Sequence, residues 1–219
     1  NEGELVEAGY RATAVAPVLI DLEELRADEG AALDRGAGLE LLFVGRITPN
    51  KAQHDLIKAL AVYRRLYDPR ARLHLVGGVA APRYQTALEG FVAALGLEGA
   101  VTLTGSVPAG VLAAHYRRAD VFVCLSEHEG FCVPLLEAMH HGLPVIAYAA
   151  AAVPETLAGA GVLLTDKSPA TVAAAIHTVV SAPDVRDALV AAGRARLEDF
   201  TLERTRARYV ELFTELLGR

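Results

Sequence analysis

The chain has 219 residues, 53% of them hydrophobic, and a net charge of −6. That supplies one sizeable core and fits one large domain, and the negative balance argues against nucleic acid or an anionic membrane as the main partner. No apolar run reaches transmembrane length and the N-terminus has no signal-peptide pattern, so a cytosolic protein is expected.

Asn1 to Leu5 reads as a helix already under way, Val15-Ala16-Pro17 as part of a short extended piece, Asp21 to Arg26 as a helical turn, and Asp28 to Gly38 as a loop. From Glu40 a regular alternation begins. Leu41–Gly45, Arg72–Gly77, Val101–Gly105, Asp120–Leu125, Pro144–Tyr148 and Gly161–Leu164 have the apolar runs of buried strands. Helical patterns lie between them at Leu56–Leu66, Tyr84–Leu95, Val111–Arg118 and Pro134–His141. Strands separated mostly by single helices predict an α/β fold: a doubly wound, Rossmann-like parallel sheet of about six strands. Helices at Pro169–Ala182, Asp184–Leu197 and Leu202–Leu217 close the chain, the last with Tyr209, Leu212, Phe213, Leu216 and Leu217 on one broad face. No G-x-G-x-x-G follows any strand, which counts against a dehydrogenase.

The most informative stretch runs from Ser126 to Glu137. It is a strand, a turn and a helix N-terminus, with Pro134 suited to the first turn because it has no N–H to leave unused. The amide groups of Gly130, Phe131 and Cys132 are expected to be free and, with the helix dipole, to favour an anion. Glu129 in the loop and Glu137, placed in the first helical turn, flank that position; Glu137 has two oxygens for vicinal hydroxyls such as those of a ribose. An anion flanked by hydroxyl-bearing groups describes a nucleotide sugar. Arg46 and Lys51, five residues apart at the first strand–helix junction, are cations able to converge on one diphosphate.

The string Glu129-Gly130-Phe131-Cys132-Val133-Pro134-Leu135-Leu136-Glu137-Ala138-Met139, continuing to Gly142-Leu143-Pro144-Val145, resembles the signature of retaining glycosyltransferases of family 4, on the two-domain GT-B architecture. Cys132 stands where that signature has Gly, which raises the question of a positive φ. The resemblance implies that Arg46 and Lys51 clamp the donor diphosphate and, with Glu129, serve catalysis. It also implies that Gly130, Phe131, Cys132, Val133 and Glu137 bind donor, and that Gly105, Ser106 and Val107 hold the base by backbone contacts. Residues 1–38 would then be the inter-domain connection and the end of a preceding domain, 39–199 the nucleotide-sugar-binding domain, and 200–219 a helix packing toward that preceding domain. The preceding domain would carry the site for an acceptor glycan, lipid or small molecule, and this chain by itself would bind donor weakly and transfer no sugar.

Neither Asp-x-Asp nor a zinc spacing is present, so no metal and no cofactor beyond the donor is expected. Cys124 and Cys132 read as buried free thiols rather than a disulfide or metal motif. His128 is placed at the pocket, and His140 and His141 on the helix surface or at its C-terminal dipole. Val153-Pro154-Glu155 resembles the end of the family's loop after the fifth strand, with Ala151 and Ala152 where glycines are common. Two other readings stay open: a nucleotide-sugar epimerase of the same architecture, and a non-catalytic binding module that kept the fold.

Overall fold

Six strands form one sheet in the order β3-β2-β1-β4-β5-β6, every neighbouring pair parallel. They are β1 (Glu40–Val44), β2 (Arg72–Val76), β3 (Val101–Gly105), β4 (Val121–Cys124), β5 (Val145–Tyr148) and β6 (Val162–Leu164). The computed structural model describes residues 2–11, 13, 14, 16, 18–21 and 33–217. The extended piece expected at Val15-Ala16-Pro17, the turn from Asp21 to Arg26 and the first part of the loop from Asp28 fall largely on residues 15, 17 and 22–32, outside the described residues.

The apolar runs become parallel strands because helices cover the sheet, so both side-chain directions must be apolar. Leu42, Leu73, Phe122 and Ile146, one from each of four adjacent strands, have no solvent exposure. The helices are α1 (Glu2–Glu7), α2 (Gln53–Leu66), α3 (Pro82–Ala94), α4 (Ala109–Arg118), α5 (Val133–His140), α6 (Val153–Leu157), α7 (Pro169–Ser181), α8 (Pro183–Leu197) and α9 (Leu202–Leu217). Helices α2, α3 and α4 start two or three residues earlier than their apolar periodicity. The reason is local: a first helical turn is often polar or proline-led, since its N–H groups have no partner within the helix. Proline is the first residue of α3, α7 and α8 and the second of α5 and α6. Helix α2 packs on α7 and α5 on α8.

At the amino ends of β1 and β2 lies a buried polar cluster. Glu40 has no exposure and meets the His74 imidazole and the Arg118 guanidinium. Burial pushes the Glu40 carboxyl up, and the bonds from Arg118 and His74 bring it below its ordinary value. This cluster fastens the start of the sheet, at the opposite end from the residues singled out in the sequence. On α9, Phe213 and Leu217 are exposed and Tyr209 and Leu212 half-buried, so the expected apolar face is partly open.

Candidate active site

The strand order reverses between β1 and β4, since β2 and β3 lie on one side and β5 and β6 on the other. At such a switch point the loops leaving the two central strands diverge to opposite faces, and a crevice opens at the carboxyl ends. The loop after β1 carries Arg46 and Lys51; the loop after β4 carries Glu129 and Gly130. The sequence features thus converge because β1 and β4 are neighbours.

Two contacts join these loops. The Glu127 N–H donates to the Asn50 carbonyl at 2.8 Å, and Lys51 Nζ donates to Glu129 Oε1 at 2.6 Å. Both charged side chains are largely buried, at 15% and 8% exposure, so neither is a solvated surface charge. Arg46 differs: its side chain is exposed and has no carboxylate partner among the described residues. Its carbonyl accepts from Gln53 Nε2 at 2.8 Å, which holds the loop against the start of α2. A second anchor is Lys167, whose ammonium reaches both Asp55 at 3.0 Å and Glu127 at 2.9 Å.

The turn into α5 answers the question raised by Cys132. Its φ is +67° and its ψ +59°, the left-handed region that favours glycine. This residue is the N-cap and gives the helix no side-chain cap. The amide groups of Gly130, Phe131 and Cys132 have no acceptor among the described residues, which leaves three unpaired donors beside the helix N-terminus. The Phe131 carbonyl accepts from Thr156 Oγ1 at 2.7 Å.

Glu137 is the fifth residue of α5, hence in its second turn; the sequence reading had it in the first. The reason is that the helix begins at Val133, one residue before Pro134, so its first turn is Val133–Leu136. The Glu137 carboxylate accepts from the Tyr116 hydroxyl of α4 at 2.5 Å. Burial raises the Glu137 pKa, and the Tyr116 bond opposes that rise. Nothing in the spacing of the chain announces Tyr116 as its partner; the same holds for Gln53, Lys167 and Thr156.

Gly77, at the end of β2, has φ +146°, and a Cβ there would lie 2.2 Å from the Gly45 carbonyl oxygen. The backbones of β1 and β2 therefore close together where they meet the crevice. Gly105 ends β3 at φ +76°, with Ser106 exposed and Val107 packed against the core. His128 is exposed beside Glu129. His141 does not behave as a charged helix-end partner. It stacks on Tyr116 with ring centroids 5.2 Å apart, and burial lowers its pKa to about 4. Ala151 adopts φ +48°, so the alanine keeps a glycine-like backbone rather than stiffening the loop into another shape, and Glu155 sits in the first turn of α6.

A six-stranded, doubly wound parallel sheet with unpaired amides and a buried Lys–Glu pair at its switch point defines a Rossmann-like α/β domain of the GT-B type. Residues 31–196 match the family described as glycosyl transferases group 1, and the chain belongs to that family. It is 36% identical to a D-inositol 3-phosphate glycosyltransferase of Geodermatophilus obscurus over 94% of this chain and 48% of that protein. The chain therefore spans about half the length of the curated relatives it matches. Among solved structures it is similar to the C-terminal domain of a group 1 glycosyl transferase, LpcC, from Francisella tularensis (TM-score 0.64, 26% identity, 84% of this chain and 93% of that one). Anabaena HepE, solved with UDP and glucose, shares the fold at TM-score 0.80 and 22% identity, over 98% of this chain and 60% of that one.

Proposed function

We propose that this chain is the nucleotide-sugar-binding domain of a retaining, family 4 glycosyltransferase, transferring a glycosyl group to an acceptor hydroxyl. Residues 39–199 form the donor domain, 1–38 the connection to a preceding acceptor domain, and 200–219 a helix that packs toward it. The observation that carries the reading is the Lys51–Glu129 contact beside three unpaired amides at the β1/β4 switch point. Binding of UDP in HepE supports a uridine diphosphate donor.

In this reading the diphosphate sits on the Gly130–Cys132 amides, with Val133 behind them, and the exposed Arg46 guanidinium and the Lys51 ammonium close on its oxygens. Charge builds on the departing diphosphate as the anomeric C–O bond breaks, and preplaced cations and amides lower that barrier electrostatically. These groups supply the positive charge themselves, so transfer calls for no metal or other cofactor. The transition state has oxocarbenium character. Glu137, held by Tyr116, accepts the ribose hydroxyls, Glu129 a hydroxyl of the sugar, and the Gly105–Val107 backbone holds the base. Lys51 neutralises buried Glu129 until donor arrives.

Among the described residues no helix is long and apolar enough to cross a membrane, and the reading places the protein in the cytoplasm. Calorimetric titration of the chain with UDP, GDP and ADP tests it. One uridine or guanosine diphosphate should bind in a single site, weakened in Glu137→Ala. No binding of any of these nucleotides would remove the reading. Donor alone should be neither epimerised nor transferred by this chain.

A further inference from the structure

Cys124 at the end of β4 and Cys132 at the N-cap of α5 bring their sulfurs to 3.9 Å, and Glu129 Oε1 lies 4.0 Å from Cys124 Sγ. All three donor atoms fall within 4.8 Å of one another, and all three residues are buried. The eight-residue spacing of the cysteines matches no metal motif; the turn of the chain makes the cluster.

The dimensions have a chemical meaning. A tetrahedral zinc ion with bonds to sulfur of about 2.3 Å spans its two sulfurs at about 3.8 Å. The pair stands close to that separation, at 3.9 Å, and a carboxylate oxygen lies 4.0 Å from one of the two sulfurs. Two buried cysteines usually pack as small hydrophobes. Here one of them sits in a left-handed backbone conformation that favours glycine. The Glu129 carboxylate lies against the pair while its Oε1 accepts from the Lys51 ammonium, which leaves Oε2 free to meet an ion. Two thiolates and one carboxylate carry three negative charges; a divalent ion and the Lys51 ammonium, 2.6 Å from Glu129, balance them.

We infer that Cys124, Cys132 and Glu129 form a binding site for a thiophilic divalent cation of the zinc class, with a fourth position open to water. On binding, each thiol gives its proton to solvent and its sulfur bonds the ion, while the carboxylate supplies the third bond. The ion is not a cofactor of transfer. The site shares Glu129 with the proposed donor pocket, so metal is measured without nucleotide and the result stands apart from that reading.

The experiment is a titration of the reduced chain with cobalt(II), read by the thiolate-to-cobalt charge-transfer band, followed by displacement with zinc(II). One cobalt per chain with that band, lost on adding zinc, is expected. Cys132→Gly, which suits the φ of +67°, and Cys124→Ala should each weaken cobalt binding at least about 100-fold. No band in the parent chain overturns the inference. A band of undiminished affinity in Cys132→Gly overturns it as well, and this variant decides the matter should Cys124→Ala lose its cooperative thermal transition.

Discussion

Lys51 Nζ and Glu129 Oε1 stand 2.6 Å apart although 78 positions separate them in the chain. The contact exists because β1 and β4 pair in parallel at the point where the strand order turns, which sets their following loops side by side. It ties a cation that can meet phosphate to the acid that can meet a sugar hydroxyl.

Removing the cation should therefore act on both binding and stability. Lys51→Ala is expected to raise the Kd for uridine diphosphate by about 10- to 100-fold, or about 1.4–2.7 kcal/mol. It should also destabilise the fold by about 1–3 kcal/mol, since buried Glu129 loses its partner. Lys51→Ala combined with Glu129→Gln should recover most of the stability but not the affinity. Calorimetry and urea unfolding separate the two effects, and an unchanged Kd would contradict a phosphate role for Lys51.

Tyr116→Phe removes the bond that offsets burial at Glu137. The carboxyl pKa should then rise further, favouring the protonated form, which donates and no longer accepts through both oxygens. Nucleotide affinity of the variant is expected to fall more at pH 6 than at pH 8. Titrations at the two pH values check this; a parallel loss at both would assign Tyr116 to packing alone.

Gly77→Ala forces a Cβ to within 2.2 Å of the Gly45 carbonyl, in a backbone region that alanine avoids. Neighbouring strands cannot separate without breaking the Gly45 N–H bond to the Val76 carbonyl. The variant should lose about 3 kcal/mol or more in urea unfolding. A loss below about 1 kcal/mol would mean that the two strand ends are not held together as described.

Acid should loosen the domain through two imidazoles. His115 and His141 are each lowered to about 4, first by burial and then by neighbouring cationic groups. A histidine with a depressed folded pKa binds more protons unfolded, so stability falls as pH drops from about 6.5 toward about 4 and is fully present above that window. With His115 buried and His141 half-buried and screened, the two together should cost about 1–2 kcal/mol between pH 7 and pH 5. His141→Gln should flatten the dependence of thermal midpoint on pH.

Much of this architecture is legible in the chain. The buried runs Leu41–Val44 and Val121–Cys124 declare parallel strands because no half-exposed strand tolerates such unbroken apolarity. The turn Gly130–Pro134 declares a helix start because Pro134 suits a first turn for a local reason, its missing N–H. Helix starts are less legible: Gln53, Pro82 and Ala109 precede the first apolar repeat, and a helix's opening turn owes nothing to periodicity. The placement of Glu137 one turn too early is the same error, made at a carboxylate.

The succession of strands and helices along the chain is a consequence of local residue chemistry, and the chain states it by itself; for position 132 the chain only raises the question of a positive φ, and the structure answers it. The partners are not local consequences. Tyr116 on Glu137, Lys167 on Asp55 and Glu127, and the meeting of Cys124 with Cys132 and Glu129 depend on which strands lie side by side and how far each helix turns. Only the folded sheet fixes those distances. Burial then gives the contacts their weight, because a charge or thiol shut away from water must answer to whatever stands next to it.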